Sequence, residues 1–391
     1  MKSLLVLLTA LLINLGHAAP STPSPQTAGQ TPTQLSLQVP APKVAAKAFV
    51  LLDYQSGQIL ASAGPDERME PASLTKLMTA YLTFAAIKQN KLGLKQTLPV
   101  SEKARDAEGS RMFIETNRPV TVDELLHGMI IQSGNDASIA LAEAVAGSEE
   151  LFAQVMNKEA KRLGMGNSNF VNATGLPNPQ HYSTARDLAQ IAAAIIRDFP
   201  EFYPLYSQKE YTYNNITQPN RNRLLWTDHF VDGMKTGHTE NAGYCLVSSA
   251  KRGERRLIAA VLGTSSDNAR AVESQKLLNY GFQFFDTQRL YKKGQEVATL
   301  GLYKGERNTV KAGFDRDMYL SLPREAFSRL KASLTTNQPL LAPLAVGQRV
   351  GSLQIALDGS KVAEFPVLAL ENIGMAGFFG RTWDNLKLLW K

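Results

Sequence analysis

Cysteine is nearly missing: Cys245 stands alone among 391 residues, so no internal disulfide can form and packing has to hold the fold. It lies in the apolar run Gly243-Tyr244-Cys245-Leu246-Val247-Ser248-Ser249-Ala250, which marks a small buried hydrophobe and not a reactive thiol. Gly-x-Ser-x-Gly is absent, and His127, His181, His229 and His238 stand in no triad setting, so a Ser-His-Asp hydrolase is disfavoured. His127, between Leu126 and Gly128, reads as a helix-packing residue. There is no His-Glu-x-x-His either, so neither a zinc site nor any other cofactor is expected. Basic clusters interleaved with aromatics are also lacking, which speaks against a nucleic-acid partner.

Long apolar runs are absent except at the start, where Lys2 is followed by Leu4 to Leu15 and then Gly16-His17-Ala18. That is the pattern of a secretory signal cleaved after Ala18, residues 1–18. An uncleaved anchor is the rival reading, but the run ends within about a dozen residues, too short for a span. Residues 19–42 are Pro, Thr, Ser, Gln and Ala with few bulky side chains, which cannot bury enough surface to offset their ordering and read as a flexible tether. The rest is long enough for two domains.

Lys47 to Asp53 and Ile59 to Ser62 flank Tyr54-Gln55-Ser56-Gly57-Gln58, a hairpin signature. A helix follows from Leu74 to Ile87. Thr121-Val122-Asp123-Glu124 is a capping box opening another, interrupted at Ser133-Gly134-Asn135 and resuming from Asp136 to Val145. Helical spacing recurs at Leu151 to Leu163 and Ala185 to Ile196, the latter capped by Ser183 or Thr184. Strands are expected at Glu210 to Tyr213, Leu246 to Ala250 and Arg256 to Gly263, and a helix from Ala269 to Phe285. The pattern predicts an α+β fold: one antiparallel sheet with a helical insertion packed on it, residues 43–288. Short alternating strands over residues 289–373 predict a small all-β domain. In residues 374–391, Phe379, Trp383, Leu386 and Trp390 fall on one face of a helix that also carries Arg381 and Lys387. Such a face suits a bilayer interface; docking on the β domain is the alternative.

Three short stretches carry chemistry. In Pro71-Ala72-Ser73-Leu74-Thr75-Lys76 a hydroxyl and an amine stand one helical turn apart, so Ser73 and Lys76 share a face. A partly desolvated lysine there can serve as base for a serine nucleophile with no histidine involved. Alone the pattern is weak and usually marks a solvated helix face. Ser133-Gly134-Asn135 alone would be an ordinary turn. With Lys235-Thr236-Gly237 further on, the three in this order form a strong signal.

With these residues the chain resembles the serine D-alanyl-D-alanine carboxypeptidases, low-molecular-mass penicillin-binding proteins of the penicillin-binding-protein-5 type. The resemblance runs over nearly all of the mature chain and implies a β-lactamase/transpeptidase-like fold. It also implies that Ser73, Lys76 and Ser133 are catalytic, and that Asn135, Lys235, Thr236, Gly237, His238, Arg221 and Arg270 bind substrate. The backbone N–H groups of Ser73 and His238 are the implied oxyanion hole. A structural ion pair would explain Arg221 or Arg270 equally well. The implied reaction removes the last D-alanine of a peptidoglycan stem pentapeptide, with β-lactams as covalent inhibitors. Gly134 replaces the aspartate common at the middle motif's centre, a side chain the chemistry does not need. No Glu-x-x-Leu-Asn pattern occurs, so a β-lactam acyl group should leave slowly. A D,D-endopeptidase cutting cross-links, or a catalytically silent wall-binding cell-shape factor, are the competing functions. The formal charge of +7 falls to +6 once Lys2 is cleaved away. That excess suits an exported protein held peripherally at the periplasmic face of a bacterial inner membrane, beside anionic lipid and wall polymer.

Overall fold

The computed structural model describes residues 39–389; the expected signal peptide, nearly all of the tether and Trp390 lie outside them. The described chain divides into two compact units, one ending at Phe284 and the other beginning at Phe285.

In the first unit, β1 (Ala48–Asp53) and β2 (Ile59–Ala63) form the expected hairpin. A 3-10 turn (Ala72–Thr75) leads into α1 (Lys76–Lys88). Then come β3 (Thr97–Leu98), α2 (Glu102–Arg105), β4 (Val120–Thr121), α3 (Val122–Ile131), α4 (Asn135–Ala146), α5 (Glu149–Arg162) and α6 (Ala185–Asp198). The pair β5 (Glu210–Tyr213) and β6 (Ile216–Pro219) and the short α7 (Leu224–Thr227) precede β7 (Val231–Thr239), β8 (Gly243–Arg252), β9 (Arg255–Thr264) and α8 (Asp267–Phe284).

The central sheet is antiparallel in the order β2-β1-β9-β8-β7. Its strands alternate between two apolar faces. Val50, Leu52, Val247, Cys245, Ile258 and Ala260 join the helical core built by Leu77, Phe84, Leu125, Met129 and Ile195, whereas Leu51 and Leu257 meet α8 at Gly281. This two-sided burial explains the unbroken apolar runs at residues 49–52 and 257–262. Buried Cys245 has its thiol pushed up to about 11 by desolvation, the setting of an inert thiol.

Local signals set the helix starts. Thr121 and Glu124 make the reciprocal capping box on α3, and Thr184, of the two candidates, caps α6 through the Asp187 N–H. One expectation needs revision: Ser73 lies on a 3-10 turn ahead of α1 and not on an α-helix. At three residues per turn, positions i and i+3 eclipse, which sets Ser73 directly in line with Lys76. β7 is a strand the sequence hid, since Gly233, Gly237 and its charged residues give it little β-propensity; pairing with β8 makes it one.

The second unit is the expected all-β unit. It contains β10 (Phe285–Tyr291), β11 (Glu296–Tyr303), β12 (Thr309–Gly313), β13 (Met318–Pro323), β14 (Leu330–Thr336), β15 (Leu340–Leu341), β16 (Arg349–Leu357) and β17 (Ser360–Ala369). A six-stranded sheet, β14-β16-β17-β12-β11-β15, and the pair β10-β13 enclose a core that includes Val310, Phe314, Leu320, Leu353 and Val367. The terminal helix α9 (Phe378–Leu389) turns Asp384 inward, where its carboxylate accepts the Lys304 N–H at 2.6 Å. Phe379 and Trp383 on its outer side are 87% and 63% exposed.

Candidate active site

Ser73, Lys76, Ser133, Asn135 and Lys235 converge through side-chain hydrogen bonds. Lys76 Nζ lies 3.0 Å from Ser73 Oγ, 2.6 Å from Asn135 Oδ1 and 2.7 Å from the Thr174 carbonyl oxygen. Lys235 Nζ donates to Ser133 Oγ at 2.9 Å. Ser133 sits in the short break between α3 and α4 and Asn135 opens α4, so the three motifs close on one another across the gap between helices and sheet. Ser133 holds a left-handed φ of 62°, which costs energy for a residue with a Cβ and aims its hydroxyl at Lys235.

The orientation of Asn135 is fixed, because its Nδ2 donates to the Glu108 carbonyl at 2.6 Å and so leaves Oδ1 toward Lys76. That decides how Lys76 is held. Asn135 Oδ1 and the Thr174 carbonyl can only accept, so they take two N–H bonds of the amine in either charge state. The third position, toward Ser73, is a donated hydrogen in the ammonium form and a lone pair in the neutral one. Lys76 is 1% exposed. Desolvation, helped by the positive charge of Arg221 and opposed by Asp136, pulls its pKa down to about 7. The neutral amine, with its lone pair aimed at the Ser73 hydroxyl, is therefore accessible at neutral pH. Lys235 is pulled well below its ordinary value by burial and by Lys76, Arg221 and Arg270.

The surrounding groups have distinct tasks. Arg221 donates to Ser110 Oγ at 2.8 Å and carries its charge at the cleft. Buried Arg270 pairs with Asp267 and donates to the Gly237 carbonyl at 3.2 Å, so it braces β7. Thr236 is buried beside Lys235, and His238 is exposed, stacked on Tyr244 with centroids 3.9 Å apart. A Cβ on Gly237 would stand 2.9 Å from the Pro71 carbonyl oxygen and 3.2 Å from Leu74. The close approach of β7 to the turn that carries Ser73 is thus what demands glycine there.

Residues 35–266 match the family model described as D-alanyl-D-alanine carboxypeptidase. The chain belongs to that family. Residues 285–374 of this carboxypeptidase match a second model, penicillin-binding protein 5, C-terminal domain. It is 45% identical over 354 residues to D-alanyl-D-alanine carboxypeptidase DacC of Escherichia coli (strain K12), covering 88% of each chain. The crystal structure of penicillin-binding protein 5 from Haemophilus influenzae superposes with a TM-score of 0.83 at 43% identity, over 86% of this chain and 99% of that one. Penicillin-binding protein D2 from Listeria monocytogenes, in its ampicillin-bound form, has a TM-score of 0.58 at 31% identity, over 63% of this chain and all of the other.

Other groups, which the sequence did not single out, hold the site's side chains in place. The Asp136 carboxylate accepts the N–H groups of Met112, Phe113, Ile114 and Ala137 at 2.8–3.3 Å. It thereby pins the loop whose Glu108 and Ser110 carbonyls hold Asn135. On the other flank, the Asn172 side chain accepts from the backbone of Thr174 and Gly175, turning the Thr174 carbonyl onto Lys76. Gly175 has φ +86°, and a Cβ there would lie 1.8 Å from the Ala72 carbonyl oxygen. The turn signature Asn172-Ala173-Thr174-Gly175-Leu176-Pro177 was the available clue. It shows a tight turn but not what that turn touches.

Proposed function

We propose that Ser73 is the nucleophile by which this D-alanyl-D-alanine carboxypeptidase opens the peptide bond between the two terminal D-alanines of a peptidoglycan stem peptide. Ser73 Oγ bonds to the carbonyl carbon while its proton passes to neutral Lys76. The C–N bond then breaks as the proton held by Lys76 passes through the Ser133 hydroxyl to the departing amine, which leaves Lys76 neutral again, while Lys235 orients that hydroxyl by its hydrogen bond. Water attacks the resulting ester with Lys76 again as base, releasing the shortened peptide and returning the proton to Ser73. The backbone N–H groups of Ser73 and His238 would hold the developing oxyanion, and Asn135 the amide on the acyl side. Arg221, Lys235 and Thr236 receive the terminal carboxylate. An arriving anion restores proton affinity to buried Lys235, so its charge returns when substrate is present. β7 is the outer strand of its sheet, and the substrate backbone can add alongside it.

The observation that carries this reading is the contact of Lys76 with both Ser73 Oγ and Asn135 Oδ1 in a dry pocket that brings the amine near neutrality. A β-lactam offers the same carbonyl to Ser73. The test is covalent labelling by a fluorescent penicillin together with D-alanine release from a pentapeptide. Both are expected for the wild type and abolished in Ser73→Ala. An unlabelled wild type would favour a silent wall-binding factor, and faster cleavage of a cross-linked dimer than of pentapeptide would favour an endopeptidase. With no counterpart to a water-activating glutamate, the penicilloyl group is expected to persist.

The protein would work outside the cytoplasm, peripherally bound to the membrane through α9. Among the described residues no helix is long and apolar enough to cross a bilayer, whereas exposed Phe378, Phe379, Trp383, Leu386 and Leu389 with Arg381 and Lys387 have the composition of an interfacial helix. The division of labour follows: residues 43–288 as the peptidase domain, 289–373 as an all-β spacer and 374–391 as the anchor.

A further inference from the structure

The turn that carries Ser73 is poorly secured by its own backbone. It is a four-residue 3-10 helix with no side-chain cap, entered through Ala72 at φ +48°, and 3-10 hydrogen bonds are weaker than α-helical ones. Besides β7, which packs on it at Gly237, what holds it comes from the loop before α6. The Thr174 carbonyl accepts from Lys76, the Ala173 carbonyl accepts from Thr79 Oγ1 at 2.7 Å, and Gly175 lies against the Ala72 carbonyl. The fourth contact is made by a side chain: His181 Nε2 lies 2.8 Å from Thr75 Oγ1.

Thr75 stands between the nucleophile and its base, and the His181 tautomer is determined. The Val171 N–H donates to Nδ1 at 3.1 Å, so Nδ1 is bare and Nε2 carries the hydrogen that goes to Thr75. The ring is 2% exposed and meets Phe170 edge-on, centroids 5.7 Å apart. Burial and the nearby Lys76 hold the imidazole down to about 4, so it is neutral wherever Lys76 can act. The acids bonded to the same region are engaged elsewhere, Glu149 with the Ala173 N–H and Asp187 with the Asn167 N–H and Ser168 Oγ.

We infer that His181 is a positioning residue for acyl transfer: through Thr75 it fixes the pitch of Ser73-Leu74-Thr75-Lys76, keeping Lys76 Nζ on Ser73 Oγ and away from water. The inference rests on the reading of Ser73 as nucleophile and Lys76 as its base. Its reach is mechanical, since His181 makes no hydrogen bond to either reacting group.

Two substitutions separate its two bonds. In His181→Asn the amide oxygen replaces Nδ1 and keeps the Val171 bond, while the donor to Thr75 is lost. In His181→Gln the amide nitrogen replaces Nε2 and keeps Thr75, while the Val171 N–H loses its acceptor. The measurement is the second-order rate of labelling of the full chain by a fluorescent penicillin across pH, alongside the melting temperature. His181→Asn is expected to slow labelling by about 10- to 100-fold, the range that a misplacement near 1 Å produces, and to move the acid limb upward in pH as water reaches Lys76. His181→Gln should keep the wild-type limb despite a lower melting temperature. Thr75→Val should reproduce the His181→Asn shift, with no further change in the double variant. An unshifted limb in His181→Asn, or equal rate losses in the Asn and Gln variants, overturns the inference. A wild type that takes no label overturns the underlying role of Ser73 instead, a separate and visible outcome.

Discussion

At the scale of the residue, the proposed chemistry turns on the burial of Lys76, which is 1% exposed. Asn135 and Thr174 accept from the amine in both charge states, so the proton that comes and goes is the one facing Ser73. Because burial lowers the Lys76 pKa to about 7, the protonated form, which cannot serve in the proposed role of base, dominates below that pH. Acylation by a penicillin should therefore rise about tenfold per pH unit on the acid side and flatten above neutrality. A limb near the ordinary lysine value of 10.5 would mean that the amine is wet. The pairing of Ser73 with Lys76 was legible because three residues of helix fix it. The Thr174 carbonyl was not, because a backbone acceptor has no signature in the sequence of side chains.

Elements differ in how far away their stabilising partners sit. The α3 capping box is complete within Thr121 to Glu124, so it could be read directly. Asp136, at the start of α4, instead accepts three N–H groups from the loop at 112–114, and nothing local announces that. Asp136→Asn would put an amide N–H against one pair of those donors. A loss of about 3 kcal/mol is expected, since bonds to a charged acceptor are the strong ones, against about 1 kcal/mol for Thr121→Ala. Urea unfolding of both variants checks the ratio. Labelling should also fall in Asp136→Asn, because the same loop orients Asn135. Hidden strands have a similar origin: β7, β10 and β11 mix charged, polar and apolar residues without clean alternation, and only their neighbours make them strands.

Over the whole molecule, the antiparallel sheet with its helical insertion and the separate all-β unit were legible from pattern. Apart from β7, β10 and β11, most of their strands are either unbroken apolar runs or alternating ones, and each pattern reports how many faces are buried. The outer face of α9 was legible too, since Phe379, Trp383 and Leu386 follow helical spacing. Less visible was the inward turn of Asp384 onto the Lys304 backbone, which fixes which side of the helix stays outside. Removing residues 376–391 should leave penicillin labelling at the wild-type rate. It should abolish co-sedimentation with vesicles of phosphatidylethanolamine and phosphatidylglycerol. If the truncated protein still sediments, the membrane contact lies elsewhere.

The two neighbours Thr174 and Gly175 are exposed to mutation very unequally. The first lends its main chain to Lys76 while its buried hydroxyl donates to Asn172 and accepts from the Leu176 N–H, so codon 174 can change to serine, which keeps that hydroxyl, at modest cost. The second meets the Ala72 carbonyl at a distance no methyl group can share. Populations under antibiotic selection should thus retain a conservative swap at one codon while purging every change from the next.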